Sequence, residues 1–82
     1  MPEDYDICIA FGRAVRRRRL ELEFTQETFA VKAGLDRTYV SGVERGLRNV
    51  SLRNIGVIAT ALELSIPALM ESMLLETHDS DS

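Results

Sequence analysis

Four polar side chains in the middle of the chain have the donors and acceptors to recognise nucleic-acid bases: Arg37, Thr38, Tyr39 and Ser41. An arginine can donate two parallel hydrogen bonds to guanine, while threonine and serine can bond a base or the backbone. A tyrosine offers a hydroxyl to a phosphate and a ring to an apolar base edge. Each residue alone is more typical of a solvated helix face. Because all four fall at the start of one predicted helix, together they favour readout of duplex DNA.

The elements that must position these side chains are two short helices joined by a tight turn, within residues 25–45. In a helix-turn-helix the second helix enters the major groove and presents its first turns to the bases. This geometry needs a small residue between the helices, a glycine in the turn and branched apolar residues that lock the pair. The chain supplies them in register as Ala30, Gly34, Leu35, Val40 and Val43. The pattern therefore predicts a helix-turn-helix, and the alternative is a helical hairpin inside an unrelated bundle.

The whole chain is predicted to be all-α, with five helices and no strand, because apolar residues recur every three or four positions between capping residues. The first helix covers residues 7–22, the second follows Thr25, the third lies between Asp36 and Gly46, the fourth follows Ser51, and the fifth covers about residues 66–75 after a cap at Ser65. Inward stripes are expected at Ile7, Phe11, Val15 and Leu22 in the first helix and at Leu52, Ile55, Ile58, Ala59 and Leu62 in the fourth. Residues 1–76 are predicted to form one domain, and residues 77–82 a disordered tail.

The net charge of −3 is distributed unevenly along the 82 residues. Residues 1–12 carry three acids and no base, residues 13–53 carry all ten Lys and Arg against five acids, and residues 54–82 carry five acids and no base. The middle segment therefore has a charge of +5 between ends of −3 and −5. This distribution predicts a basic DNA face backed by a separate acidic surface.

Other functional classes find little support in the composition. No apolar run approaches the roughly 20 residues that span a bilayer, and the acidic start of the chain is unlike a signal peptide. Cys8, the single cysteine, forms no internal disulfide, which fits a reducing bacterial cytoplasm. Cys8 and His78 cannot supply a metal site or a nucleophile–base pair. We therefore expect no enzyme activity, no cofactor or metal and no membrane partner.

Contacts to the DNA backbone are expected on both sides of the reading helix. Gln26 starts the second helix, where its amide and the free N–H groups can converge on one phosphate. Arg48 and Asn49 follow the third helix and are placed to grip the backbone beside the groove. The run 16–19 consists of four arginines, which cannot share one helix face because successive residues lie about 100° apart. One or two of them are expected at phosphates, and the others solvated or paired with acids.

The fifth helix is predicted to be a subunit interface, because it supplies more apolar surface than one terminal helix needs. The interface residues expected are Ile66, Leu69, Met70, Met73 and Leu74. The alternative is that this surface only closes the core of the monomer. A two-fold homodimer would place two reading helices about 34 Å apart and match a pseudo-palindromic operator.

Residues 8–75 resemble the Cro and phage-repressor type of helix-turn-helix, the XRE family, whose fold is the five-helix lambda-repressor-like domain. The residues that carry the resemblance are FTQETFAVKAGLDRTYVSGVERG and SLRNIGVIATALELSIPALM. Within that family, AGLDRTYVSGVERGLRNVSL is most similar to the controller proteins of restriction–modification systems. The resemblance implies a small homodimer that binds operators upstream of its own gene and the endonuclease gene and regulates their transcription, with RNA polymerase as a further candidate partner.

By position, the resemblance assigns base readout to Arg37, Thr38, Tyr39 and Ser41 and phosphate contacts to Gln26, Arg48 and Asn49. It also implies that Arg19 pairs with Glu44 and approaches a phosphate, and Glu44 is expected to be structural. The chain departs from the family at Arg18, where an aliphatic residue is usual, and at Glu23 and Glu63, where glycine often follows a helix. These two helix ends are expected to close differently or with strain of about 1 kcal/mol.

Two other interpretations of the same fold remain open at the level of sequence. One is another small XRE regulator, such as a phage-type repressor. The other is an antitoxin or protein-interaction module, in which the acidic C-terminal region would be the working surface.

Overall fold

The computed structural model describes residues 6–77 and contains five α-helices within that range: α1 Ile7–Glu21, α2 Gln26–Ala33, α3 Arg37–Glu44, α4 Leu52–Ala61 and α5 Ile66–Thr77. Within the described residues there is no strand, so the predicted all-α class is confirmed. Helix α5 extends two residues beyond the predicted end. Thr77, the first residue of the predicted tail, is the last residue of α5, and residues 78–82 of that tail lie outside the described residues, as do residues 1–5.

The helices begin where capping residues satisfy their free N–H groups. The Thr25 hydroxyl accepts from the Thr28 amide at 2.9 Å, and the Asp36 carboxylate accepts from the Thr38 amide at 2.7 Å. The predicted caps Ser51 and Ser65 make the equivalent bonds at 3.1 and 3.2 Å. Each cap of this kind stabilises a helix by about 1 kcal/mol. The short helices α2 and α3 therefore start at fixed residues, which sets the register of every side chain on them.

The helix-turn-helix is formed by α2 and α3, with Gly34 in the turn. Gly34 has left-handed backbone angles, φ 68° and ψ 32°, which cost glycine little because it has no Cβ. Side chains from all five helices meet in one core beneath this unit, whose most deeply buried members are Val15, Phe29, Val40, Ile58, Leu62 and Leu69. Helix α1 bridges the fold, since it packs against both α3 and α5.

Two residues assigned to inward stripes point outward instead. Leu52 is 80% exposed and Ile7 is 56% exposed, so the sequence-based prediction was wrong for both. Each is the first residue of its helix. The apolar pattern includes this first position, but no described element packs over the start of either helix. These side chains are therefore surface rather than core.

The ends of α1 and α4 close in the ordinary way although a glutamate follows each. Glu23 and Glu63 are left-handed, with φ 61° and 60°. After α1, the Glu23 amide donates to Leu20 O at 3.0 Å and the Phe24 amide to Arg19 O at 3.1 Å. The same two bonds form after α4, and the pattern is the Schellman motif. Both helix ends therefore make the usual backbone bonds, and the cost lies in placing a Cβ at positive φ.

Replacing Glu63 with glycine is expected to raise the free energy of unfolding by about 0.5–1 kcal/mol, because glycine adopts the left-handed conformation without a steric penalty. The midpoint of urea unfolding measures the change. Glu63→Ala is the matched control, since it removes the same charge and keeps the Cβ. Equal stabilisation by alanine would show that the charge, and not the backbone, was responsible.

Candidate DNA interface

The outward side of α3 presents Arg37, Thr38 and Ser41 together. At about 100° per residue these three positions fall within an arc of about 100°, and Val40 and Val43 on the other side are buried. Arg37 and Thr38 are exposed and Ser41 is half-buried. The structure therefore groups three of the four predicted readout residues on one face.

Arg45 joins this face, although the sequence analysis did not select it. It directly follows α3 as its C-cap residue and is exposed, with its Nε donating to Ser41 O at 3.4 Å. Its spacing was the available signal, because it lies four residues after Ser41 and eight after Arg37. We call Arg37, Thr38, Ser41 and Arg45 the reading face. An arginine lies at each end of this face, and none of its four residues is a carboxylate.

Tyr39 lies at the edge of α3 and not on the reading face. Its hydroxyl accepts a hydrogen bond from Asn54 Nδ2 of α4 at 3.1 Å, and its ring lies under the Arg48 guanidinium, 5.7 Å from carbon to centroid. The side chain is half-buried. Among the described residues no acceptor takes the hydroxyl's own O–H, which can therefore donate to an outside acceptor. Asn54 was missed by the sequence analysis because nothing local links α3 to α4.

The loop after α3 carries the two residues predicted to contact phosphate, and their side chains point in different directions. Arg48 is exposed and stacks on Tyr39, beside the end of the reading face. Asn49 turns the other way, since its Oδ1 accepts from Cys8 Sγ of α1 at 3.4 Å. The structure therefore places Arg48 beside Tyr39 and places Asn49 against the start of α1. Both residues are exposed, and their predicted contacts with the DNA backbone stay predictions.

A buried ion pair joins α1 to α3 and involves Arg19, which was predicted to touch DNA. The Arg19 guanidinium binds Glu44 through Nε at 2.6 Å and Nη2 at 3.0 Å, while its Nη1 donates to Phe24 O at 2.8 Å. Arg19 is only 7% exposed. Its Nε, Nη1 and Nη2 each donate one bond inside the protein, so the expected pairing with Glu44 is present, and the contact with phosphate stays a prediction. Glu44 is structural, as expected.

Gln26 also binds Glu44, through Nε2 to Oε1 at 3.1 Å. This bond ties the first residue of α2 to the last residue of α3. The amide nitrogen that was expected at a phosphate is thus partly committed inside the protein. Gln26 is half-buried. Helices α1, α2 and α3 therefore meet at one carboxylate.

The run of four arginines separates into different roles. Arg17 Nη2 lies 2.8 Å from Glu76 and donates to Ser72 O at 3.0 Å, which ties α1 to α5. Arg18 Nε donates to Leu62 O at 3.0 Å and so caps the end of α4, which explains a polar residue at that position. With Arg19 bound to Glu44, Arg16 is the member of the run for which the described residues show no partner.

The predicted dimer residues of α5 occupy two sides of the helix. Leu69 and Met73 are buried within the subunit, so they support α5 from beneath and are corrected from interface to core. Ile66 and Leu74 are exposed and Met70 is half-buried. These three residues, four apart, form an outer stripe. Leu75 of the same helix is also exposed, and exposed Leu52 of α4 adds apolar surface that was not predicted to belong to an interface.

The described residues contain no single helix long and apolar enough to cross a membrane. Helices α4 and α5 reach the required length and composition only as a pair, with a bend of 90° between them.

The sequence of this chain matches an established protein family. A family model described as helix-turn-helix matches residues 15–69. The chain is 41% identical over 69 residues to the control protein C.MunI from a Mycoplasma species, and the match covers 83% of this chain and 93% of that protein.

Solved structures share the fold. The restriction–modification controller protein C.AhdI from Aeromonas hydrophila is 49% identical, with a TM-score of 0.76 over 79% of this chain and 98% of that one. The controller protein C.Esp1396I, solved as a tetramer with its natural 35-base-pair operator, is 34% identical with a TM-score of 0.81, over 89% of this chain and 96% of that one.

Proposed function

This chain belongs to the helix-turn-helix family and to its branch of restriction–modification controller proteins, and we propose that it regulates transcription as a homodimer bound to operator DNA. The observation that carries the proposal is the reading face. Arg37 and Thr38 are exposed on α3 and Arg45 is exposed directly after it, while Val40 and Val43 on the other side of α3 are buried in the core. A helix held in this way can enter the major groove without having to fold on binding, which lowers the entropic cost of association.

We assign base readout to Arg37, Thr38 and Ser41. Arg37 suits a guanine, because its guanidinium can donate to O6 and N7 together. Thr38 and Ser41 suit smaller contacts, either hydrogen bonds or packing of the Thr methyl on a thymine methyl. Arg45 at the far end of the same face is placed for a base edge or the adjoining phosphate.

Backbone contacts are assigned to the residues around that face. Tyr39 can donate its free hydroxyl proton to a phosphate while Asn54 and Arg48 hold the ring. The first turn of α2, which starts at Gln26, presents N–H groups that favour an anion. Arg19 acts indirectly, by fixing Glu44 and thereby the angle between α1 and α3.

A homodimer is supported by the outer stripe of α5. Ile66, Met70 and Leu74 are continuous with α4, because Met70 and Ile55 line one cleft and Leu52 lies one turn from Ile55. We propose that the second copy covers this surface. The C-terminal dimerisation helix then extends over 66–77, slightly longer than the sequence indicated.

A footprint on the DNA upstream of the chain's own gene tests the function. Two protected half-sites are expected, with centres about 34 Å apart or a multiple of that spacing. If the dimer makes about 6–10 phosphate contacts, affinity should fall roughly 10³–10⁵-fold between 50 and 200 mM salt. Absence of any salt-sensitive binding, together with a stable foreign protein partner, would instead support the protein-interaction module.

Arg37→Ala is expected to weaken operator binding by about 1–3 kcal/mol, or about 5- to 150-fold, for each subunit bound, and to change binding of random duplex much less. The reason is that a bidentate arginine discriminates between bases. Titrations with both duplexes measure the effect, and Arg53→Ala, an exposed arginine outside the reading face, serves as control. Equal weakening on both duplexes would assign Arg37 to a phosphate.

The choice between a controller and a phage-type repressor depends on genomic context. A methyltransferase gene and an endonuclease gene beside this one would support the controller role.

We propose a bacterial cytoplasmic location on the strength of the family. Contact with RNA polymerase is a further proposal, tested by transcription in vitro from the operator.

A further inference from the structure

A glycine within α3, Gly42, leaves a gap on the helix surface that the side chain of Arg48 fills. A Cβ at Gly42 would lie 2.9 Å from Arg48 Nε, 3.2 Å from its Cγ and 3.6 Å from its Cδ. The loop after α3 also returns to this position through its backbone, since the Leu47 amide donates to Gly42 O at 2.9 Å. Arg48 therefore lies against α3, in the space that a side chain at position 42 would occupy.

We propose that Gly42 is a positioning residue for DNA binding, because the absence of a Cβ lets Arg48 lie beside the reading face, with its guanidinium over the Tyr39 ring, where it can donate to the DNA backbone. The inference rests on the proposed function, since the contact needs bound DNA. Glycine is not required here by the backbone, because Gly42 does not have a positive φ. In mid-helix it is also unfavourable by propensity.

Helix geometry places Gly42 between the reading face and Tyr39. At about 100° per residue, Gly42 lies about 40° around α3 from Thr38, and Tyr39 lies about 60° further on. The carbon of the Arg48 guanidinium is 5.7 Å from the centre of the Tyr39 ring, which agrees with this placement. Arg48 therefore extends the reading face by one cation on its Tyr39 side.

The guanidinium of Arg48 keeps its donors for an outside acceptor. Arg48 is exposed, and among the described residues its side chain makes no ion pair or hydrogen bond. The cleft that it borders on α1, α4 and α5 has no carboxylate among its lining residues. A guanidinium carries five N–H donors and no acceptor, so a phosphate of the DNA backbone fits its chemistry.

An alanine at position 42 is expected to disorder Arg48 without disturbing the fold. Its methyl group would displace Nε and Cγ of Arg48, which belong to a flexible side chain and can move at little cost. The guanidinium would then leave the Tyr39 ring and regain rotamer freedom. A side chain that is ordered before binding loses less entropy in the complex, so this freedom should weaken DNA binding.

The test introduces Gly42→Ala and, as matched control, Gly56→Ala, each with and without Arg48→Ala. Titrations use the DNA upstream of the gene and a random duplex. Gly42→Ala should weaken binding of both about 2- to 12-fold for each subunit bound, the range for one side chain that must become ordered, and Arg48→Ala at least as much. The two duplexes should respond equally, because a phosphate carries no sequence.

Once Arg48 is alanine, Gly42→Ala should change affinity by less than about twofold, because the side chain that needs the space is gone. Gly56→Ala should leave binding unchanged, since the nearest atom to its Cβ is 3.9 Å away. The Tm of Gly42→Ala should match or exceed that of the parent, because alanine favours a helix more than glycine does.

Three results would overturn the proposal. A lower Tm for Gly42→Ala would give Gly42 a structural role. Equal weakening with and without Arg48 would mean that the methyl group obstructs the DNA directly. Dissociation of the dimer by Arg48→Ala, seen by sedimentation, would assign Arg48 to the subunit interface instead.

NMR of the free protein separates this inference from the proposed function. The Arg48 Nε–H resonance should move in Gly42→Ala as it does in Tyr39→Leu, because both changes remove the ring from the guanidinium. An unchanged resonance in Gly42→Ala would contradict the placement of Arg48 by Gly42. If the resonance moves but the parent protein binds neither duplex, Gly42 places Arg48 as described and it is the proposed function that fails.

Discussion

Replacing Glu44 with alanine is expected to destabilise the domain by about 3–5 kcal/mol, because the buried Arg19 guanidinium then has no counter-ion. The pair is almost fully shielded, with Arg19 7% and Glu44 8% exposed. Among the described residues, Glu44 is the only carboxylate bound to Arg19. Gln26 would also be left without its partner. Urea unfolding measures the destabilisation, and DNA affinity should fall with it because the angle between α1, α2 and α3 is no longer held.

A double variant distinguishes the missing counter-ion from missing packing. Arg19→Met with Glu44→Leu removes both charges and keeps apolar volume, and such exchanges are often neutral or stabilising in other proteins. We expect the double variant to be clearly more stable than Glu44→Ala. Gln26→Ala should cost about 1 kcal/mol, as removal of one hydrogen bond does. If the double variant is as unstable as Glu44→Ala, the ion pair is not the cause.

Gly12→Ala is the second large effect, expected to destabilise the domain by about 3 kcal/mol or more. A Cβ at Gly12 would overlap the carbonyl oxygen of Val43 and lie 2.8 Å from that of Glu44. Both oxygens belong to the backbone, so the overlap cannot be relieved by rotating a side chain. Helix α1 would have to move off α3, which would also disturb the Arg19–Glu44 pair. The change is measured by thermal and urea unfolding.

Gly56→Ala is the matched control, since Gly56 also lies within a helix. The nearest atom to a Cβ there is Ile66 Cδ1 at 3.9 Å, an ordinary contact. Alanine should therefore stabilise α4 by about 0.5–1 kcal/mol through helix propensity. A similar destabilisation in both variants would contradict the steric argument and point to a general intolerance of substitution.

The close approach at Gly12 illustrates what the sequence analysis could not find. Gly34 was assigned because the turn needs it locally, whereas Gly12 is mid-helix, where glycine is unfavourable by propensity. The backbone atoms of α3 that leave no room for a Cβ at this position begin 31 positions away along the chain. The same holds for Asn54 at the Tyr39 hydroxyl and for Arg18 at the end of α4. Local pattern carries no information about partners that the fold brings together.

The sequence alone determined the five helices, their caps and the helix-turn-helix, because helix period, capping and turn conformation depend on residues within about four positions of one another. It also located the reading helix, since Arg37, Thr38 and Ser41 share a face once the register is set by Asp36. Only the tertiary structure decided which residues are covered. It moved Leu69 and Met73 into the core, exposed Leu52, and bound three arginines of the run while leaving Arg16 to solvent. The physical reason is that burial and ion pairing depend on helices distant in the chain, whose packing no short pattern encodes.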